Sequence, residues 1–231
     1  MIKQAEQDKI WKYYQNQDRG SFDLSYPRLR FLAELCPKGT RVLNIGVGSG
    51  HLEKLLVKQG VEVYSLDPSV ESIKRLQDEL AMGDRAMHGY SHEIPFKDRY
   101  FDKVIMTEIM EHLLDDALHA TIVEVGRVLK SGGEFTGTVP YLEDLQVNNV
   151  FCPHCQAVFH RWGHHQSFDV ASLGDLLKHH GFRVERIYTR SFPDFRRTGF
   201  KLFLKSFFRY VLGRMGEPLV GPNLYFIARM Q

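Results

Sequence analysis

The fold is decided by one stretch of sequence, Val42-Leu43-Asn44-Ile45-Gly46-Val47-Gly48-Ser49-Gly50. Its apolar first half predicts a short buried strand, and the segment 51–59 that follows predicts a helix with leucines on one face. The alternating glycines between them permit positive φ and leave no Cβ between the backbone and a ligand. Free N–H groups at the start of the helix favour an anionic group. The stretch therefore predicts a ligand-binding turn.

Strands and helices alternate on both sides of this turn. Two helical pieces are predicted in 1–35, the second beginning near Pro27, and later helices at 69–82, 115–129 and 169–180. Further strands are predicted at 61–66, 86–88, 100–106, 134–139, 182–188 and 223–228. Such alternation is typical of βαβ units in a mostly parallel sheet.

Composition sets limits on the class of protein. A chain of 231 residues with 43% hydrophobic residues fits one α/β domain with insertions. The net charge of +2 is too small to indicate nucleic-acid binding. The polar first residues lack a signal peptide, and no apolar run is long enough to span a bilayer. The odd set Cys36, Cys152 and Cys155 is a poor disulfide framework, so we expect a cytoplasmic protein.

Asp67 is the acidic partner of the glycine turn. It ends the second predicted strand, roughly 20 residues after Gly46, which is the position and residue type that holds ribose hydroxyls. In open α/β sheets, ligands bind at the carboxyl ends of the strands. Glycines, helix and acid in register therefore predict a nucleoside-containing ligand.

Several motifs in order resemble the class I S-adenosylmethionine-dependent methyltransferases, in particular the small-molecule enzymes of the type 11/12 group. The resemblance covers about residues 38–190. It rests on the glycine stretch, Asp67, Ile94-Pro95-Phe96 with Phe101-Asp102-Lys103-Val104-Ile105, Glu108-Ile109-Met110-Glu111-His112-Leu113, and Arg127-Val128-Leu129-Lys130-Ser131-Gly132-Gly133.

The resemblance implies a Rossmann-like fold: a seven-stranded, mostly parallel sheet with helices on both faces and an antiparallel last strand. Residues 1–37 would form an N-terminal helical lid, and 38–231 the methyltransferase domain with insertions at 141–168 and 192–221. The cofactor would contact Asn44, Gly46, Gly48, Gly50, Asp67, Pro68, Tyr90, Ser91 and Glu108.

Two positions depart from the family pattern. Asn44 stands where the family usually has an acid that orients the methionine end of the cofactor, and it brings no charge. Tyr90 stands where the family has its adenine-contacting acid. Tyr90 and Ser91 either contact the adenine or are ordinary loop residues. These departures leave open a second hypothesis, a protein that binds S-adenosylmethionine without transferase activity.

A nicotinamide-dependent oxidoreductase is the other alternative, because it also combines glycines with an acid. Its fingerprint is G-x-G-x-x-G, whereas this loop is G-x-G-x-G with His51 at the sixth position. The spacing and the downstream motifs favour the methyltransferase.

The catalytic residues and the methyl acceptor are less well defined by the sequence. The chain lacks the Asn/Asp-Pro-Pro-Tyr/Phe motif that the family uses to methylate amino groups of adenine or glutamine. A small-molecule acceptor, or one linked to a lipid or glycan, is expected. The candidate bases, each of which also has a structural interpretation, are His112, His160, His164 and His165.

A cysteine–histidine segment lies in the insertion 141–168. Cys152 and Cys155 have zinc-knuckle spacing, and His160 and His164 could complete four ligands, with His154 and His165 as substitutes. Such a zinc ion would be structural, because four protein ligands leave no open position. The alternative is a reduced C-x₂-C turn in a substrate loop.

The second insertion contains a basic, aromatic segment, 200–212, that predicts a helix. Lys201, Lys205 and Arg209 make one basic stripe on an apolar cylinder. The stripe suits contact with a membrane surface or a lipid substrate. The alternatives are a helix buried in the domain and a contact in a homodimer.

Overall fold

A central sheet of seven strands organises the molecule. The computed structural model describes residues 9–11, 13–14, 25–193, 204, 206–208, 210–212 and 222–231. The strand order is β3-β2-β1-β4-β5-β9-β8. The strands are β1 (Arg41–Ile45), β2 (Glu62–Asp67), β3 (Ala86–His88), β4 (Phe101–Thr107), β5 (Leu129–Pro140), β8 (Phe182–Arg190) and β9 (Asn223–Met230).

All neighbouring strands run parallel except at β9, which is antiparallel to both β5 and β8. The predicted Rossmann-like sheet with an antiparallel last strand is therefore confirmed. The order reverses beside β1, whose neighbours are β2 and β4. This reversal puts the carboxyl ends of β1, β2 and β4 at one edge, where ligands bind in such sheets.

Helices cover both faces of the sheet. One face packs against α1 (Tyr26–Glu34), α2 (His51–Lys58) and α3 (Val70–Leu80), and the other against α4 (Asp115–Val128) and α5 (Val170–His179). Leu29, Leu32 and Ala33 of α1 are buried in the core of the first face. The second part of the segment 1–37 therefore belongs to the core of the domain.

Some predicted boundaries differ from the structure by a few residues. The helix predicted to reach 82 ends at Leu80, because Ala81 has a positive φ of 49°. The helix predicted to end at 129 stops at Val128, and β5 begins at Leu129 rather than at Glu134. The cause is long-range, since Leu129 pairs with Phe101 of β4.

The insertion 141–168 forms a separate antiparallel hairpin, β6 (Asn149–Phe151) and β7 (Val158–His160). An isolated bridge between Tyr141 and Phe168 closes its base. In 200–212, the described residues 204, 206–208 and 210–212 are helical, whereas Lys201, Lys205 and Arg209 lie outside the described residues. None of the helices that the structure describes is long and apolar enough to cross a bilayer.

Candidate functional site

A cavity of about 340 Å³ lies at the carboxyl ends of β1, β2 and β4. The glycine turn and the end of β2 line one side of it. Trp11, Tyr14, Trp162 and His164 line the other side. The cavity thus joins the predicted cofactor loop to the N-terminal segment and to the insertion 141–168, with the size of an ordinary small-molecule site.

The glycine turn packs too closely for larger residues. Gly46 has a φ of 89°, and a Cβ built there would lie 2.3 Å from Cδ1 of Ile109. Its N–H donates to the carbonyl of Leu66 at 2.9 Å, which ties the turn to β2. Gly48 and Gly50 also have positive φ. The sequence-based argument for glycine is confirmed at the level of the backbone.

Asp67 is buried at the end of β2 and holds the turn in place. Its Oδ2 accepts the N–H of Val47 at 2.7 Å, and its Oδ1 accepts the N–H of Ser69 at 2.8 Å. Arg75 of α3 adds a bond to the carbonyl of Gly48 at 2.6 Å. Asp67 therefore positions the loop, and with Pro68 it also lines the cavity.

Asn44 is bonded to a buried acid that the sequence analysis missed. Its Nδ2 donates to Oε1 of Glu53 at 2.7 Å and to the carbonyl of Gly46 at 3.1 Å. Ser65 also donates to Oε1 of Glu53 at 3.0 Å. Burial raises the pKa of Glu53 to about 7, against the lowering effect of the bonds from Asn44 and Ser65. Oδ1 of Asn44 is buried without a hydrogen-bond partner among the described residues.

Tyr90 and Ser91 both line the cavity. The ring of Tyr90 stacks on that of His92, with centroids 5.5 Å apart. The hydroxyl of Ser91 is already bonded to that of Thr121 in α4 at 2.8 Å. Tyr90 is therefore the better candidate for stacking on a ligand, because it has an aromatic ring and lines the cavity.

Glu108 follows β4 with a positive φ of 56° and lines the cavity. Its Oε1 accepts the hydroxyl of Thr138 at 2.9 Å and the amide of Asn223 at 2.9 Å. Its Oε2 lies 3.3 Å from Nη1 of Arg28. The carboxylate is therefore engaged by the protein itself, which favours a structural role beside the cavity.

A cluster of histidines and glutamates lies in the part of the cavity lined by Trp162 and His164. Glu111 is 1% exposed, and neither carboxylate oxygen has a hydrogen-bond partner within the described chain. Burial, and then the charge of Glu108, raise the pKa of Glu111 well above its usual range. Burial, and then the neighbouring His164, lower the pKa of His112 well below its usual range. The rings of His112 and His164 lie edge to face at 4.5 Å.

Glu143 supports this cluster from the insertion. Its Oε2 lies 2.5 Å from Nδ1 of His164, and its Oε1 lies 3.5 Å from Nε2 of His160. The rings of His160 and His164 stack at 4.6 Å. Neither Glu111 nor Glu143 was predicted as a site residue, although Glu111 belongs to the E-x-x-E-H motif. No local pattern in the sequence marks Glu143.

The candidate bases line two cavities. His112 and His164 line the cavity beside the glycine turn. A second cavity under the hairpin is lined by His160, His165 and again His164. Burial lowers the pKa of His165 there, and its Nε2 has no partner among the described atoms. His112 and His164 therefore lie close to the glycine turn, whereas His160 and His165 line the second cavity.

The predicted zinc set is not assembled. Cys152 accepts main-chain N–H groups from Cys155 and His154, which lowers the pKa of its thiol, as expected for a tight C-x₂-C turn. However, no three of the four predicted ligands have their donor atoms within 4.8 Å of one another in the described chain. His160 and His164 face Glu143 instead, and the substitute ligand His154 is exposed.

Comparisons with known proteins agree with this geometry. A family model described as "Methyltransferase domain" matches residues 16–187. An uncharacterised methyltransferase of Geobacillus sp. strain WCH70 is 28% identical over 156 residues, which are 63% of this chain and 71% of the relative.

Solved structures share the fold. A chain of the complex between the Haloferax volcanii Trm112 activator and a methyltransferase superposes with a TM-score of 0.70 at 19% identity, covering 96% of this chain and 97% of that one. The Burkholderia thailandensis 1,6-didemethyltoxoflavin-N1-methyltransferase, with its substrate and S-adenosylhomocysteine bound, superposes with a TM-score of 0.65 at 18% identity, covering 97% and 87%. These comparisons favour methyl transfer over the nicotinamide alternative.

Proposed function

Because the chain belongs to the S-adenosylmethionine-dependent methyltransferases, we propose that it methylates a small molecule held in the cavity of about 340 Å³. One observation carries the proposal. The same cavity is lined by the glycine turn and, opposite it, by Trp11, Trp162 and His164. A volume of this size suits a small-molecule site. The Burkholderia relative, which has 1,6-didemethyltoxoflavin bound, supports an acceptor of this class.

Residues of the glycine side fit the cofactor. The orphaned, buried Oδ1 of Asn44 can accept a hydrogen bond from an ammonium group. The start of α2, after Gly50, offers N–H groups to a carboxylate. We assign Asp67 to the ribose and Tyr90 to the adenine. The remaining predicted contacts, which shape the wall of the cavity, are Gly46, Gly48, Pro68, Ser91 and Glu108.

S-adenosylmethionine supplies a methyl group that is already activated as a sulfonium. The protein therefore has to align the acceptor and exclude water, and proximity of this kind can contribute several kcal/mol. A proton acceptor is needed only for an acceptor that is protonated at neutral pH. We propose His112 or His164 for this role, because both line the cavity and burial favours a neutral His112. His165, in the other cavity, is the weaker candidate.

A lipid-linked acceptor is the second candidate, supported by exposed apolar residues in the segment 200–212. Phe207 and Phe208 are 46% and 58% exposed, and Val211 and Leu212 are also exposed. These exposures argue against a helix buried in the domain and favour contact with a membrane surface or a second copy. Co-sedimentation with anionic vesicles would support the lipid candidate, and a concentration-dependent dimer would support the other.

The proposal is tested in two steps, with purified protein whose thiols are kept reduced, as they would be in the cytoplasm. Calorimetric titration should show binding of S-adenosylhomocysteine and none of NADH. Incubation with S-adenosylmethionine and a fractionated metabolite extract should then give a methylated product by mass spectrometry. Binding without turnover in any fraction would favour the hypothesis of a cofactor-binding protein, and NADH binding alone would overturn both.

A further inference from the structure

We propose that Glu111, His112 and His164 form a site for a divalent transition-metal cation on the acceptor side of the cavity. Donor atoms of the three residues all lie within 4.8 Å of one another. Two imidazole nitrogens with one carboxylate are a donor set of catalytic zinc and ferrous centres. Only the role of the cation rests on the proposed function; its binding does not.

The carboxylate of Glu111 lacks a partner among the residues that the structure describes. Both oxygens are buried without a hydrogen bond from any described residue. The backbone of Glu111 is fixed, since its carbonyl accepts the N–H groups of His165 at 2.7 Å and Gln166 at 3.0 Å. A buried, unpaired carboxylate is costly, and buried charges are normally paired or coordinate a metal. A cation at this position satisfies both oxygens.

Hydrogen bonds to the two imidazoles fix their tautomers. Nδ1 of His164 lies 2.5 Å from Oε2 of Glu143, so we assign its proton to Nδ1 and its lone pair to Nε2. Nδ1 of His112 accepts a long bond of 3.4 Å from Trp11, and the backbone of Gly163 bonds the ring. The proton of His112 is therefore assigned to Nε2 and its lone pair to Nδ1, where a cation would replace the long bond. Metal-binding histidines are oriented in this way by carboxylates and carbonyls.

The neighbouring residues Glu143, His160 and His164 also have donor atoms within 4.8 Å of one another. The tautomers of the two histidines make this group a poor metal site. Nδ1 of His160 accepts the main-chain N–H of His164 at 3.1 Å, so we assign its proton to Nε2. This Nε2 lies 3.5 Å from Oε1 of Glu143 and has no hydrogen-bond partner among the described atoms. Of the two rings, Glu143 therefore bonds that of His164. It is a positioning residue that orients the ligand His164.

The local charges match a divalent ion. Arg28 and Glu108 form an ion pair, with Nη1 and Oε2 3.3 Å apart, and together contribute no net charge. Glu111 and Glu143 then carry two negative charges when ionised. A bound divalent ion would neutralise both carboxylates in a region where unpaired charge is expensive.

Three protein ligands leave coordination positions open toward the cavity. We infer an acceptor with a hydroxyl group, preferably beside a second oxygen, that binds the cation through these oxygens. Coordination lowers the pKa of a hydroxyl, whose proton leaves to water, and the oxygen becomes a nucleophile at neutral pH. With the cation bound, this step replaces the imidazole base of the proposed function, because His112 and His164 then donate their lone pairs to the cation. This step assigns the acceptor class that the proposed function leaves open.

The test uses the full chain without a histidine tag, stripped with a chelator and titrated with Co²⁺ alone. Visible absorption should show one Co²⁺ per chain with d–d bands and no thiolate charge-transfer band, because nitrogen and oxygen ligate. Glu111→Gln and His164→Gln should weaken Co²⁺ binding at least tenfold. Glu143→Gln should weaken it by roughly 10–100-fold through loss of orientation. Two ligand variants keep the test valid if one of them fails to fold.

Two controls separate this site from the others. Cys152→Ser removes the C-x₂-C turn, and His119→Ala removes the surface pair in which Nδ1 of His119 lies 2.8 Å from Nε2 of His180. Neither should change the affinity for Co²⁺. Normal Co²⁺ binding in Glu111→Gln and His164→Gln, loss of binding in either control, or no binding in the wild type would overturn the proposal. Affinity for S-adenosylhomocysteine, measured in the wild type and in the two controls, reports on the proposed function separately and should be the same in all three.

Discussion

Asn44 donates its side-chain amide to the buried carboxyl of Glu53 at a distance of 2.7 Å, directly beneath the glycine turn. The pair joins the end of β1 to the inner face of α2. Asn44 occupies the position where the resemblance implies an acid, and the acid bonded to it is Glu53 of α2. The acid that the sequence analysis missed therefore lies close to the glycine turn, and burial keeps it neutral up to a pH of about 7.

The raised pKa of Glu53 predicts a specific pH dependence of stability. The unfolded chain releases this proton near pH 4.5, whereas the folded chain keeps it until about 7. The free energy of unfolding therefore falls by about 3 kcal/mol as the pH rises from 4.5 to about 7. Above this window the contribution of Glu53 no longer changes with pH. In Glu53→Gln this fall should be absent, so urea unfolding from pH 4 to 8 should show the difference between variant and wild type growing across the window.

Subtracting the unfolding free energy of the variant from that of the wild type at each pH cancels the titrations of all other groups. Burying the glutamine amide has a cost that does not depend on pH, so it does not alter the slope of this difference. Glu79→Gln is the matched control, because Glu79 is half exposed and pairs with Lys54 on the surface. Its difference curve should be flat. A flat curve for Glu53→Gln as well would contradict the burial argument.

Gly46→Ala should impair the cofactor site. The left-handed backbone alone costs roughly 1–2 kcal/mol with a Cβ, and that Cβ would lie 2.3 Å from Cδ1 of Ile109. We expect at least a tenfold loss of affinity for S-adenosylhomocysteine by calorimetry. Gly181→Ala is the control, since its φ is 80° and nothing lies within 4 Å of its Cβ. Gly181→Ala should lower the free energy of unfolding by a similar amount and leave the affinity for S-adenosylhomocysteine unchanged. Equal affinities in the two variants would argue against a close-packed glycine turn.

Asp67→Asn should loosen the glycine turn. Both oxygens of Asp67 accept backbone N–H groups, from Val47 and Ser69. The side-chain amide of the variant has only one oxygen and can accept only one of these two bonds. The other backbone N–H then faces the NH₂ group without an acceptor, which costs about 1–3 kcal/mol. Urea unfolding should show this loss, and the affinity for S-adenosylhomocysteine should fall at least tenfold. The exposed Asp84→Asn should change neither quantity, and a stable Asp67→Asn with full affinity would remove Asp67 from the site.

The sequence was sufficient for the elements whose signals are local. The glycine turn, the acid at the end of β2 and even the three-residue β3 were predicted, because apolar alternation and glycines act within a few residues. The start of β5 was not, since Leu129 becomes a strand residue only through pairing with Phe101. Propensity in 115–129 favoured helix, and the long-range contact overrode it at Leu129 alone.

The cluster around Glu111 could not be derived from spacing. His164 reaches it from the insertion, where the bridge between Tyr141 and Phe168 and the hairpin above it set the position of Glu143. The C-x₂-C turn has the spacing of a zinc knuckle, but the partners of His160 and His164 are set by that tertiary arrangement. Glu53 did leave a signal, because a glutamate three residues before Leu56 lies on the buried face of α2.

Arg127 explains why two of the resemblance motifs occur together. It donates Nη1 to the carbonyl of Phe96 at 2.9 Å and Nη2 to the carbonyl of Ile94 at 2.8 Å. Glu124, one turn earlier in α4, accepts from Arg127 and from the N–H of Ile94 at 2.8 Å. The loop 94–96 is thus clamped to the end of α4.

Arg127→Lys should therefore destabilise the fold while leaving the cavity chemistry intact. A lysine ammonium cannot bond two carbonyls and a carboxylate with the fixed fork of a guanidinium, so two or more bonds are lost. We expect a loss of about 2 kcal/mol in the free energy of unfolding, because these bonds are partly buried. Arg183→Lys, an exposed residue with one contact to Glu185, should stay within about 0.5 kcal/mol. Equal stability of the two variants in urea would show that solvent screens the clamp and that the two motifs co-occur for another reason.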